Sequence, residues 1–172
     1  VAAEGANSPA DVMLMVDVGQ INALVDAGIT QPIKSALVDK TVPAALRGPA
    51  DNWVTLTQRA RIVVVSKERV KQDAITYEEL ADPKWKGKVC IRSGQHPYNN
   101  AFFAAYLARN GAEKTENFLK GLKANLARKP GGGDRDVARD ILSGQCDIAI
   151  INGYYIGLMS QAKNEQKSWY DA

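Results

Sequence analysis

Three tyrosines and two cysteines hold the chemical possibilities of this sequence. Tyr154 and Tyr155 are adjacent, and only Asn152 and Gly153 separate them from the apolar run Ile148-Ala149-Ile150-Ile151. Tyr98 follows a second short apolar stretch, Lys88 to Ile91, in the same way. Cys90 stands eight residues before Tyr98, and Cys146 eight before Tyr154. One cysteine thus marks each strand, and one tyrosine site each exit. If the two strands lie side by side in a parallel sheet, a Cys90–Cys146 disulfide fixes their register and gathers three phenol oxygens around one point. Such a point suits a hard, highly charged cation, because hard cations prefer oxygen donors and phenolate is a strongly basic one. Each residue also has a plainer reading. Two cysteines can be buried free thiols, and adjacent tyrosines more often place one ring in a core and one at the surface. Matched offsets favour the disulfide, and placement beyond the carboxyl ends of strands favours the site, since open α/β sheets bind ligands there.

The elements that must position these residues alternate between strand and helix. Asp11 to Val16 reads as a short buried strand, Gly19 to Ala27 as a helix closed by Gly28, and Ile33 to Val38 as a helical turn opened by Pro32. A long strand is expected from Trp53 to Ser66, long enough to cross between two bodies. Tyr77 to Asp82 is a short helix ended by Pro83, and Lys88 to Ile91 a buried strand. A helix from Asn99 or Asn100 through Arg109 carries the stripe Phe102, Phe103, Tyr106 and Leu107; Gly111 caps it. A second, near Glu113 to Ala127, buries Phe118, Leu119, Leu122 and Leu126. Pro130 and Gly131-Gly132-Gly133 stop it, and Asp134 caps a third helix through Leu142. Asp147 to Ile151 is the strand before the tyrosine pair, and another helix begins over Ile156 to Ala162. This pattern implies an α/β fold with mostly parallel sheets. The division reads as residues 1–58, part of a first lobe; 59–66, a hinge strand; and 67–172, a nearly complete second lobe with the tyrosine site.

Composition narrows the class. With 172 residues, 45% hydrophobic and 24% charged, the chain has the make-up of an ordinary globular protein. Its net charge of +3 comes from 22 basic and 19 acidic residues spread along the sequence, so nucleic acid is not an expected partner. No apolar stretch approaches the roughly 20 residues of a membrane-spanning helix. The start, Val1-Ala2-Ala3-Glu4-Gly5, lacks a basic region followed by an apolar one, so a signal peptide is expected to be absent or removed. A disulfide implies an oxidising compartment and stabilises by roughly 3 to 5 kcal/mol in the chain-entropy picture.

The stretch Tyr77 to Val89 (YEELADPKWKGKV) looks like the second lobe of periplasmic solute-binding proteins. More specific are Ser8-Pro9-Ala10-Asp11-Val12 with Val16-Asp17-Val18-Gly19, then Leu56-Thr57-Gln58-Arg59-Ala60-Arg61, Cys90-Ile91-Arg92-Ser93-Gly94, His96-Pro97-Tyr98-Asn99, Ala127-Arg128-Lys129-Pro130 and Cys146-Asp147-Ile148-Ala149. With Asn152-Gly153-Tyr154-Tyr155 they resemble the iron(III)-binding proteins of bacterial ABC importers, of the kind found in cyanobacteria and proteobacteria. The resemblance runs through nearly the whole chain and covers the middle of a family member. It implies a two-lobe, periplasmic-binding-protein-like architecture in which ferric iron (Fe3+) is held in an interlobe cleft and passed to a membrane permease. Carried onto this sequence, it implies that Tyr98, Tyr154 and Tyr155 are second-lobe ligands. The ligands that relatives place near their N-terminus have no counterpart here. Where many relatives have Asn-Thr-Tyr-Tyr, Gly153 stands in place of the threonine. The resemblance further implies a periplasmic location, contact with the membrane only through the permease, and a monomer when complete.

Three phenolates neutralise a 3+ ion. A further anionic donor leaves the site negative, and Arg92 is placed to offset that charge or to hold a synergistic anion; Arg59 and Arg61 are weaker candidates. His96, the only histidine, either joins the site or shapes the turn at Pro97. Gly131 to Gly133 matches no phosphate-loop pattern and reads as a helix connection. A rival reading is a binding protein for an organic or inorganic anion held by Arg92, Ser93 and backbone amides. An enzyme with Cys90 as nucleophile and His96 as base is not expected, because Cys90 lies in an apolar strand, where its thiolate is disfavoured, and no third orienting group is evident.

Overall fold

A computed structural model describes residues 1–172, the side chain of Ala6 excepted. The chain divides into two units, Val1–Gln58 and Arg59–Ala172.

In the first unit, helix α1 (Val18–Asp26) starts where Asp17 accepts the backbone N–H of Gln20 at 3.0 Å. Helix α2 (Ala36–Thr41) begins three residues later than the turn expected at Ile33, because Ser35 caps it by accepting from Val38 N at 3.4 Å. An antiparallel bridge joins Arg47 to Val54, and Arg47 pairs with Asp39 at 2.6 Å. The expected buried strand over Asp11–Val16 is absent. A strand needs a hydrogen-bonding neighbour, and among the described residues none pairs with this run, leaving Val12 86% and Leu14 79% exposed.

The second unit contains, in chain order, β1 (Arg61–Val65), β2 (Val89–Ile91), α3 (Pro97–Asn110), α4 (Ala112–Ala124), α5 (Asp134–Leu142), β3 (Ile148–Asn152), α6 (Tyr154–Ser160) and α7 (Gln166–Asp171). The strands form one sheet in the order β1-β3-β2. The α/β class is as expected, but the sheet is mixed instead of mostly parallel. β2 runs parallel to β3 from Val89↔Ile148 to Ile91↔Ile150, whereas β1 runs antiparallel to β3 from Arg61↔Asn152 to Val65↔Ile148. The long strand expected over 53–66 is confined to 61–65, since β3 ends opposite Arg61; beyond that pair the Ala60 carbonyl accepts from Gly153 N at 2.9 Å, and among the described residues no strand pairs with Leu56 to Ala60. The segment 59–66 thus contributes its paired residues to the sheet of the second unit.

Alternation along β3 builds a core on both sheet faces. Ile148 and Ile150 join Val89, Ile91, Trp85, Leu80, Tyr106, Phe118 and Leu122 on the side of α3 and α4. Ala149 and Ile151 join Cys90, Cys146, Val137, Ile141 and Met159 on the side of α5 and α6. All five residues of β3 are buried, as befits a central strand covered on both faces. Of the stripe foreseen on α3, Leu107 stays 46% exposed while Tyr106 enters the core. Gly111, at φ +79°, lets the chain reverse between α3 and α4. Residues 78–81 form a four-residue 3-10 turn instead of a longer helix, with Pro83 opening the next turn. α4 packs on that turn through Gly121, where a Cβ would stand 2.6 Å from the Ala81 Cβ.

The disulfide pairs Cys90 with Cys146 across a Cα separation of 5.8 Å. It lies on the α5 face and joins β2 to the residue three positions before Ala149, the register partner of Cys90. The equal cysteine-to-tyrosine offsets therefore mark neighbouring parallel strands without placing the cysteines opposite each other.

Candidate functional site

Strand direction decides which residues can meet. Because β2 and β3 are parallel, their carboxyl ends share one edge of the sheet, and antiparallel β1 brings its amino end to the same edge. β2 continues through residues 92–96 into α3, with Tyr98 in the first helical turn. β3 continues through Gly153 into α6, whose first two residues are Tyr154 and Tyr155. Both tyrosine sites thus stand at helix N-termini, where the aligned peptide dipoles favour negative charge.

The three phenols form one cluster. The Tyr154 and Tyr155 rings lie 4.4 Å apart, and Tyr154 is close enough to both Tyr155 and Tyr98 for their ionisations to influence one another. Burial opposes ionisation of Tyr154, yet the neighbouring Tyr155, Tyr98 and Asn152 side chains outweigh it and lower its pKa below the ordinary phenol value. Tyr98 is raised, first by its interaction with the Tyr154 phenol and then by burial, with Arg59 and Arg92 pulling the other way. Tyr155 is pushed up to about 12 by burial and by its interaction with the Tyr154 phenol. Tyr154 is therefore the phenol of the three that ionises most readily. Tyr154 is 41% exposed, which leaves the cluster accessible to solute.

Cationic groups surround the rings. The Arg92 guanidinium lies 4.8 Å from the Tyr98 ring centroid, Arg59 lies 5.9 Å from the same ring, and Arg135 of α5 lies 5.2 Å from that of Tyr155. Cations so placed favour phenolate over phenol.

A buried polar network underlies the cluster. Asp134, whose side chain is fully buried, accepts from Arg61 Nη1 at 2.7 Å, Arg92 Nη1 at 3.2 Å and the Asn152 backbone N–H at 2.8 Å. Arg61 also donates to Asn152 Oδ1 at 3.0 Å, Asn99 Oδ1 at 3.1 Å and the Ile150 carbonyl at 3.1 Å. Asn99 in turn donates to the carbonyls of Arg92 and Ser93 at 3.0 and 3.1 Å. Two guanidiniums against one carboxylate leave this shelf with one excess positive charge. Removing one partner from a buried ion pair costs about 3 to 5 kcal/mol, so the arrangement is strongly held.

The remaining sequence candidates now have places. Arg92 is a buried member of this network, not a surface charge. Ser93 shapes the loop: its hydroxyl accepts from Gln95 N at 3.3 Å and its carbonyl from His96 N at 3.2 Å. His96 caps α3, its Nδ1 accepting from Tyr98 N at 3.2 Å while its ring meets that of Tyr98 at 4.6 Å. Cys90 and Cys146 are disulfide-bonded, so neither is a nucleophile. Asp134, Asn99 and Asn152 were not foreseen. The one available signal was the polar Asn152 closing an apolar strand, since a buried asparagine needs partners. Among the described residues no group of three or more His, Cys, Asp or Glu side chains is arranged to hold a metal. A cation bound here would rely on phenol oxygens.

Comparison with known proteins supplies independent findings. The profile of a family described as bacterial extracellular solute-binding protein matches residues 7–168. Iron uptake protein A1 of Synechocystis sp. is 41% identical over 165 residues, which cover 95% of this chain and 46% of that protein. A Bordetella ferric binding protein structure superposes with a TM-score of 0.89 at 56% identity, covering 99% of this chain and 55% of its own. A Trichodesmium protein solved in complex with iron and citrate ligands superposes with a TM-score of 0.92 at 37% identity, covering 99% and 54%. The chain spans about half the length of the curated relatives it matches.

Proposed function

Because the chain belongs to the bacterial extracellular solute-binding protein family, we propose that it binds ferric iron through the phenolates of Tyr98, Tyr154 and Tyr155 and delivers it to an ABC permease. Iron is the transported cargo, and the relatives with ferric or iron-uptake names support that choice. The observation that carries the reading is the meeting of three phenols at the shared edge of β2 and β3, electrostatically coupled through Tyr154 and ringed by Arg59, Arg92 and Arg135. Three phenolates match the charge of the ion. The excess positive charge of the Arg61–Asp134–Arg92 shelf offsets a further anionic donor, either from the rest of the protein or from a synergistic anion such as the citrate named for the Trichodesmium relative. A disulfide within the lobe suits a periplasmic location.

Each phenol lies in a helix N-terminal turn, so its oxygen can be removed with little change to packing. Tyr154→Phe and Tyr155→Phe are expected to weaken iron binding severely and to leave the fold intact. Unchanged affinity in both would reject the assignment.

The second reading, an organic or inorganic anion held by Arg92, Ser93 and backbone amides, draws on the buried cationic shelf. Arg92 is already committed to Asp134, and the Ser93 hydroxyl to Gln95 N. That commitment favours the tyrosine reading.

A further inference from the structure

Asp134 occupies a place that neither strand geometry nor helix capping requires. Its carboxylate has three partners on three different elements. Arg61 opens β1, Asn152 closes β3 two residues before Tyr154, and Arg92 leaves β2 six residues before Tyr98. Asn99, the neighbour of Tyr98, completes the frame by accepting from Arg61 and donating to the Arg92 and Ser93 carbonyls. A single buried carboxylate therefore ties together the roots of both tyrosine-bearing segments. Apolar residues of similar volume could fill such a space, often with no loss of stability. They could not fix the two segments in one orientation, because dispersion contacts carry little directionality.

Building on the tyrosine–iron reading, we infer that Asp134 is a positioning residue of the site, whose clamp on Arg61, Arg92 and Asn152 sets the spacing of the three phenol oxygens. Charge and position are separable here. Exchange of three phenol protons for a 3+ ion leaves the net charge of the cluster unchanged, and a further anionic donor would be favoured by loss of the Asp134 charge, so charge alone does not lower ferric affinity when Asp134 is neutralised. Loss of alignment lowers affinity directly, because the ligands must then be reorganised at the moment of binding. Alignment also sets the overlap between phenolate and metal orbitals, and so the visible phenolate-to-iron absorption.

The test compares wild type with Asp134→Asn in the full-length protein, loaded from ferric nitrilotriacetate. Asparagine is nearly isosteric and keeps one acceptor oxygen, but it cannot serve both guanidiniums as a charge partner. A tenfold or greater loss of ferric affinity with a displaced absorption band is expected, while the far-UV circular dichroism stays that of wild type. Asp140→Asn is the control: Asp140 pairs with Arg128 through Nε at 2.7 Å, and among the described residues it shares no hydrogen bond with Tyr98, Tyr154 or Tyr155. It should leave affinity and band unaltered, and an equal loss there would overturn the inference. Should Asp134→Asn fail to fold, Asp134→Asn combined with Arg92→Gln restores the wild-type net charge without the clamp and must show the same loss. Wild-type affinity and band in the folded variant would overturn the positioning role alone. Absence of any band in wild type would remove the tyrosine reading itself, and this inference with it.

Discussion

Proton release is the most discriminating consequence of iron held by phenols. An ordinary phenol has a pKa of about 10. Tyr98 is raised above that value and Tyr155 is pushed up to about 12, so both carry protons throughout the physiological range; Tyr154 is lowered and is the first to ionise. Each ligand must lose its proton to bind the ion, so affinity falls as pH falls. Where all three phenols are protonated, three protons leave per iron and the apparent affinity changes about 1,000-fold per pH unit. Where Tyr154 has already ionised, two protons leave and the change is about 100-fold per pH unit. The three groups titrate as one coupled set, so the count belongs to the cluster. Adding ferric nitrilotriacetate to weakly buffered protein in a pH-stat, with the chelator's own protons subtracted, reads the count directly. Two to three protons per iron are expected, and one fewer in Tyr155→Phe. A count unchanged by Tyr155→Phe, or an affinity independent of pH, would refute the reasoning.

Two further predictions concern the frame that holds the cluster. Cys90 and Cys146 are 56 residues apart, and closing a loop of that length stabilises by about 4 kcal/mol in the chain-entropy picture. The double variant Cys90→Ser, Cys146→Ser should therefore melt roughly 10 °C lower, judged by calorimetry, with a smaller effect on iron affinity; the opposite order of effects would mean that the cysteines act at the site. Gly121→Ala should destabilise, because a Cβ there would meet the Ala81 Cβ at 2.6 Å and the Ala81 carbonyl oxygen at 2.8 Å. Overpacking typically costs about 1 to 3 kcal/mol, which outweighs the roughly 1 kcal/mol gained in helix propensity. Urea unfolding measures the balance, and a stabilised variant would show that α4 does not pack this closely.

Much of the second unit was legible because its signals are local. β2 and β3 are apolar runs, and the helices α3, α4 and α5 are bracketed by Pro97, Gly111 and the 131–133 glycines. The equal spacing of Cys90 to Tyr98 and Cys146 to Tyr154 pointed to two parallel strands with tyrosines beyond the same edge. Strand direction and partnership are not local. Nothing in Arg61–Val65 says that it runs antiparallel beside β3, and Asp11–Val16 has the composition of a strand yet finds no neighbour to pair with among the described residues. The polar shelf was hidden for the same reason. Asp134 stands at the start of a helix, where an aspartate reads as a cap, and only the folded chain brings it to Arg61, 73 residues away, and to Arg92, 42 residues away. Buried charge pairs of this kind leave no pattern along the sequence, since each member looks like an ordinary surface residue until its partner is known.

Resonance Raman scattering from the iron-loaded protein, excited within its visible absorption, tests the phenolate ligands most directly. Enhanced tyrosinate ring modes are predicted, weakening in each of Tyr98→Phe, Tyr154→Phe and Tyr155→Phe. Iron-loaded protein that lacks those modes, or keeps them undiminished in all three variants, would contradict the account.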